Sequence, residues 1–248
     1  MGADVFTLRD VFYRDPSLFD NQGVSDKLID LLSELLGEKR GALNIRASPR
    51  GMFAGSAITL LLKSGEEITA SATRGQTIPV EEDIERIDVR DDISFVVVVE
   101  KEVRTYTRVH GKSLKIFSRP LLNGLQGKGY PDLATRDLFK RLAQDLPPWV
   151  PITVLVDADP YGLDILNQFV KACDGQAGER VQWIGVFGTE WTELGIEPQQ
   201  LLPLKPTDCR KAFKMLRETP DLPSRWREEL QHMLFLQRKA EIECLSSL

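Results

Sequence analysis

The chain has 248 residues, 42% of them hydrophobic and 28% charged, enough for one large domain or two modest ones. No apolar run reaches membrane-spanning length and the start has no basic stretch before an apolar one, so an intracellular protein with no membrane anchor is expected. A net charge of −5 argues against a non-specific basic coat but allows a local basic groove. Three widely spaced cysteines suggest neither a disulfide framework nor a zinc site, and two histidines all but exclude a histidine-based centre.

Residues 1–15 carry Phe6, Leu8, Val11 and Phe12 at mixed spacing, with Arg9 four positions before Tyr13. On a helix those two share a face and can address one phosphate together. The plainer alternative is a partly buried tyrosine with its hydroxyl at the surface. Residues 23–36 predict an amphipathic helix whose apolar stripe is Val24, Leu28, Leu31, Leu32 and Leu35. A short alternating strand follows at 42–51, then 57–63 and 67–72 flank Ser64-Gly65-Glu66 as the arms of a β-hairpin. Helix, strands and hairpin outline a winged-helix-like α+β domain over residues 1–80. The acidic block 81–92 (EEDIERIDVRDD) differs sharply in composition from its surroundings and suggests a linker to a second domain, 93–248. Without that block the remainder is close to neutral, with basic residues gathered near Arg46–Arg50, Lys112–Arg119 and Lys128–Arg141.

Phe95–Val99 is an all-apolar run that stops at Glu100, and Ile152–Val156 is another that stops at Asp157, with Asp159 two positions on. Apolar runs without polar alternation predict buried strands of a parallel sheet. Pro160 suits the first turn of a helix, and Leu163, Leu166, Phe169 and Val170 continue with helical spacing. Open α/β sheets place ligands at the carboxyl ends of their strands. Three carboxylates there are hard oxygen donors suited to Mg²⁺ with retained waters and a phosphate. The plainer alternatives are a capping or solvated pair at Asp157 and Asp159, and a helix-start acid at Glu100. Between the two strands, Leu121–Tyr130 is glycine-rich and predicts a loop in which the backbone can approach a ligand closely and Lys128 can pair with phosphate. It lacks the spacing of a Walker A loop. Residues 132–146 predict a helix with Leu138, Leu142 and Leu146 on its apolar face, ended by Pro147-Pro148. Val181–Phe187 predicts a further strand, and 207–218 and 224–243 predict helices. The expected class is α/β, a parallel sheet covered by helices.

The residues also carry a family resemblance. Arg9-Asp-Val-Phe-Tyr13, Leu18-Phe-Asp-Asn-Gln22, Val99-Glu-Lys-Glu102, Gly127-Lys-Gly-Tyr-Pro-Asp132 with Ala134-Thr-Arg136, and Val156-Asp-Ala-Asp-Pro-Tyr-Gly162 occur in one order along nearly the whole chain. They resemble the meiotic double-strand-break transesterases, relatives of the topoisomerase VI A subunit, and Trp183-Ile-Gly and Lys239-Ala-Glu-Ile fit the same pattern. The resemblance implies a Toprim-type sheet preceded by a winged-helix-like domain, here shortened at its start because only twelve residues precede the tyrosine. It implies that Tyr13 is the nucleophile, that Arg9 contacts the scissile phosphate, and that Glu100, Asp157 and Asp159 hold Mg²⁺. Arg50, Lys128 and Tyr130 would lie along the DNA path. The implied activity is a double-strand break made through a 5′-phosphotyrosyl intermediate, initiating meiotic recombination in the nucleus. The implied assembly is a homodimer on double-stranded DNA, with meiotic accessory proteins and a topoisomerase VI B-like subunit. Two other readings are compatible with the acids: a Toprim phosphodiesterase that uses water and does not need Tyr13, and a non-catalytic DNA-binding subunit.

Overall fold

The computed structural model describes residues 6–38, 40–46, 51–55, 57–70, 75–100, 106–109, 112–115, 123–126, 130–173 and 175–247. Contacts divide the chain into two compact units, Met1–Pro49 and Arg50–Leu248.

In the first unit β1 (Phe6–Thr7) leads into α1 (Leu8–Arg14), the single-turn α2 (Pro16–Phe19) and α3 (Gln22–Leu36), and β2 (Ile45–Arg46) returns to pair in parallel with β1. Each helix start is set by a side chain that satisfies otherwise orphaned N–H groups. Thr7 and Asp10 form a capping box on α1, Asp15 caps α2 and Asn21 caps α3. α3 ends where Gly37, at φ 65°, takes the left-handed conformation. The predicted helix is therefore present, but its leucine stripe is not its buried side. Ser25 and Ile29 are buried, whereas Leu28, Leu31, Leu32 and Leu35 are exposed. A unit of this size has little apolar surface with which to cover so long a stripe.

The second unit begins with β3 (Met52–Ala54), β4 (Ile58–Leu62), β5 (Glu67–Thr69), β6 (Gln76–Thr77) and β7 (Ile84–Val89). Then come β8 (Val96–Val99), β9 (Tyr106–Val109), β10 (Lys112–Lys115), β11 (Asn123–Gln126), α4 (Leu133–Asp145), β12 (Ile152–Val156) and α5 (Pro160–Ala172). It closes with α6 (Gln176–Glu179), β13 (Val181–Gly185), β14 (Leu202–Pro203), α7 (Pro206–Glu218), α8 (Ser224–Leu236) and β15 (Arg238–Lys239). Six strands form the main sheet in the order β13-β12-β8-β11-β3-β6. The first four run parallel, and β3 and β6 are antiparallel additions at one side. Every residue of β8 is buried, as are four of the five in β12, as expected for strands covered on both faces. α4 and α5 pack together through an edge-to-face contact of Phe139 and Phe169, their centroids 4.9 Å apart. No helix among the described residues is long and apolar enough to cross a membrane.

Four expectations need correcting. The hairpin around Ser64-Gly65 is present as β4 and β5, but with β7 it makes a three-stranded sheet inside the second unit, so contacts break at Pro49–Arg50 and not at residue 80. The acidic block is no linker: Glu81–Asp83 form a 3₁₀ turn and Ile84–Val89 are β7. Ile84 and Ile87 point inward while Glu85, Arg86 and Asp88 stay in solvent, so the charge marks the wet face of an edge strand. Asn123–Gln126, expected in a loop, is β11, held by backbone pairing to β8 on one side and β3 on the other. Its glycine is tolerated because neighbours on both sides, not intrinsic propensity, fix the strand. The last helix stops at Leu236, where Gln237 turns left-handed at φ 54°.

One arginine closes the end of α4. The Arg180 guanidinium donates to the carbonyls of Ala143 (2.7 Å), Leu146 (3.0 Å), Pro147 (2.7 Å) and Val150 (3.1 Å). Carbonyls at a helix end lack intrahelical donors and need such a partner. Arg180→Ala is expected to lower stability by about 2–4 kcal/mol in urea unfolding, because part-buried acceptors lose charge-assisted bonds. Lysine at this position should restore only part of the loss, since its compact ammonium cannot span four acceptors.

Candidate functional site

The register of β8 and β12 brings the first two acids together. Val99 lies opposite Leu155, and the Glu100 N–H donates to the Leu155 carbonyl at 3.1 Å. The residues that follow then stand abreast at the carboxyl edge of the sheet, where the Asp157 N–H donates to Glu100 Oε2 at 3.2 Å. Asp157 is buried, and its Oδ1 accepts from the Ile242 N–H at 2.8 Å.

Asp159 is the N-cap of α5. Its Oδ1 accepts from the N–H groups of Tyr161 (2.9 Å) and Gly162 (2.8 Å), while its Oδ2 faces the Lys239 ammonium at 3.1 Å. The capping role is thus real, and it leaves the second oxygen facing a cation. Gly162 is a matter of space: a Cβ there would lie 2.3 Å from the Asp157 carbonyl oxygen. Helix α5 therefore starts directly against the backbone of the acid before it.

The third wall comes from the far end of the chain. Ala158 and Ala240 exchange two backbone hydrogen bonds, at 2.9 and 3.2 Å, which lay Lys239 to Ile242 alongside the acids. Lys239 bridges Asp159 and Asp208, each at 3.1 Å. Burial works against its charge, but the two carboxylates outweigh burial and hold its pKa above that of an ordinary lysine. Nearby, burial and then the charge of Asp157 push the Cys244 thiol up to about 11, which makes it a poor nucleophile. Asp208 and the role of Lys239 were missed from the sequence. The only signal was the Lys239-Ala-Glu-Ile pattern, to which no chemistry was attached.

Tyr130 lies beside α5, its hydroxyl donating to Asp164 at 2.8 Å, and Lys211 pairs with the same carboxylate at 2.6 Å. Burial and then the bond to Asp164 hold the phenol well above its ordinary pKa. In the first unit Tyr13 sits at the end of α1 and is 58% exposed, as either a nucleophile or the partly buried tyrosine of the plainer alternative would be. Arg9, one turn earlier, donates to the Tyr13 hydroxyl at 3.4 Å. Arg50 and Lys128 lie outside the described residues.

Among the described residues no cluster of three or more His, Cys, Asp or Glu side chains is already gathered to hold a metal ion. Carboxylates are the hard oxygen donors that a divalent cation takes, and Glu100 and Asp157 lie at one sheet edge with Asp159 following at the start of α5.

Residues 95–248 match the family model for the Toprim domain of the topoisomerase 6 A subunit and Spo11, and residues 3–45 match the one described as type IIB DNA topoisomerase. The chain belongs to the family of Spo11 and the topoisomerase VI A subunit. The parallel sheet of its second unit is accordingly a Toprim sheet. The chain is 32% identical over 254 residues to the DNA topoisomerase 6 A subunit of Arabidopsis thaliana, covering 97% of this chain and 57% of the relative. It is 31% identical over 253 residues to Meiotic recombination protein SPO11 of Homo sapiens, covering 98% and 62%. The chain thus spans somewhat more than half the length of these relatives.

Replacing a helical glycine by alanine ordinarily stabilises by up to about 1 kcal/mol. At Gly162 the sign should reverse: Gly162→Ala is expected to destabilise by about 1–3 kcal/mol in urea unfolding, because the new methyl group overpacks the Asp157 backbone.

Proposed function

We propose that this chain is the DNA-cleaving component of a topoisomerase VI-like transesterase that makes double-strand breaks and initiates meiotic recombination. The observation that carries this reading is the exposed Tyr13 hydroxyl with the Arg9 guanidinium at 3.4 Å, on a chain of this family. The names of relatives such as the human and mouse meiotic recombination proteins support the meiotic assignment and, with it, action in the nucleus.

An unperturbed phenol is mostly protonated at neutral pH and needs help to attack phosphorus. Arg9 supplies a fixed positive charge beside the hydroxyl, placed to offset the charge developing on phosphoryl oxygens. Tyr13 Oη forms a bond to phosphorus, the bond from phosphorus to the 3′ oxygen breaks, and that oxygen leaves as a hydroxyl. One phosphodiester replaces another, so the step is reversible in principle and consumes no water. Glu100, Asp157 and Asp159 would hold Mg²⁺, which when bound neutralises charge on the phosphoryl group. Each chain carries one such tyrosine, so a duplex break needs two copies. The family resemblance has the tyrosine of one copy act at the acids of the other. Meiotic accessory proteins and a topoisomerase VI B-like subunit complete the proposed assembly. Tyr130 is assigned to the DNA path, as are Arg50 and Lys128.

With duplex DNA and the B-like partner present, Tyr13→Phe is expected to abolish the covalent protein–DNA adduct while leaving duplex binding essentially intact. Adducts are detected by denaturing electrophoresis of end-labelled DNA. An adduct that persists removes Tyr13 as nucleophile, and free 5′ ends from the native chain point to the water-using phosphodiesterase. Chelation of divalent ions by EDTA, or Asp157→Ala, is expected to stop adduct formation with Tyr13 unchanged. Cleavage that survives both changes overturns the metal assignment.

A further inference from the structure

The cleavage chemistry lies at the carboxyl end of the sheet strands and makes no use of the opposite end. α5 starts at the acids and runs 13 residues to Ala172, so its far end lies about 20 Å from them. Among the described residues, a cavity of about 630 Å³ opens there. It is walled by the ends of α5 and α7, by α6 and the start of β13, and by the first turn of α8. Its apolar and charged linings are separated. Cys173 and Trp226 are buried and Val170 and Val181 half-buried, whereas Lys171, Glu179, Glu218 and Asp221 are exposed. An apolar floor with charge only on its rim lacks the converging polar groups that orient a small polar metabolite. It suits an apolar side chain brought in on a peptide.

Two further features point the same way. Trp149 is 79% exposed and belongs to the same wall. Arg180, between the lining residues Glu179 and Val181, donates to the carbonyls of Pro147 and Val150 on either side of that indole. Tryptophan is among the residues most enriched where protein partners anchor. The rim is also acidic on balance. Glu218 is shared with Arg217 at 3.3 Å and Lys214 at 3.8 Å, exposed pairs that contribute little, while Glu179 and Asp221 outnumber Lys171. A rim of that sign repels nucleic-acid phosphate and attracts lysine and arginine. We propose that this face docks a partner protein, which inserts one large apolar side chain into the cavity from a segment flanked by basic residues and rests that segment against Trp149. A partner bound there leaves the acids at the other end of α5 uncovered, so the face can stay occupied while DNA is held at the rim.

The test uses labelled nonapeptides with a central leucine, phenylalanine or tryptophan and two lysines on each side, read by fluorescence polarisation on the full chain. At least one is expected to bind with a Kd below about 100 µM, and versions with a central alanine, or with glutamates in place of the lysines, about tenfold more weakly. Glu179→Lys combined with Asp221→Lys should reverse the preference in favour of the glutamate-flanked peptide. Asn167→Trp, which fills the cavity, and Trp149→Ala should each weaken binding about tenfold, with folding checked by circular dichroism. Absence of binding by all three peptides up to about 1 mM, or binding untouched by the charge reversal, overturns the proposal. Displacement of bound peptide by duplex DNA also overturns it, because the peptide then occupies a nucleic-acid face. Sedimentation showing a native dimer that Asn167→Trp abolishes makes a second copy the occupant, and overturns it too. Should Asn167→Trp fail to fold, the charge-reversed pair decides alone. None of these measurements touches Tyr13 or the acids, so the cleavage reading stands or falls separately.

Discussion

The register between β8 and β12 is the constraint on which the rest of the second unit depends. Because Val99 lies opposite Leu155, Glu100 leaves the sheet one residue before Asp157, close enough for the Asp157 N–H to donate to the Glu100 carboxylate. Strand side chains alternate between faces, so a slip of one residue would carry each side chain of β12 to the opposite face and change which atoms of the two acids meet. Both strands are buried nearly throughout, so a slip would have to repack close-fitting apolar side chains on both faces of the sheet. The precision of the acidic rim is thus inherited from an apolar core that has no chemistry of its own.

Around that rim, negative charge is held in place by backbone as much as by cations. Asp157 accepts from the Ile242 N–H and Asp159 from two N–H groups at the start of α5. A helix start also carries a partial positive charge, which favours ionised carboxylates close to it. The same chain end that supplies Ile242 supplies Lys239 and the pairing with Ala158. The capping role of Asp159 is thus met by one oxygen, while the other is turned to Lys239.

What could be read from the sequence depended on how local each signal was. The strands that end in Glu100 and Asp157 were legible because, in an α/β chain, an uninterrupted apolar run closed by an acid is the mark of a buried strand reaching the sheet edge. Arg9 and Tyr13 were legible because four residues is one turn of helix, and α1 does place them together. The identity of β7 was hidden by its acids, which record solvent on one face and nothing about pairing. β11 was hidden because its strand character comes from neighbours more than twenty residues away in sequence. The leucines of α3 predicted a helix correctly, but helical spacing does not say what, if anything, a stripe is packed on. Lys239 and its partners Asp159 and Asp208 belong to three elements that only the folded chain brings together, and no periodicity encodes such a meeting.

The bridge between Ala158 and Ala240 joins residues that leave the ribosome at very different times. Domains tend to fold as the chain emerges, starting from its amino-terminal parts. The sheet strands and α5 can therefore assemble while the segment that walls the acids is still being made. A nascent chain, or one cut short by a stop codon before residue 238, would carry the sheet but not the finished rim.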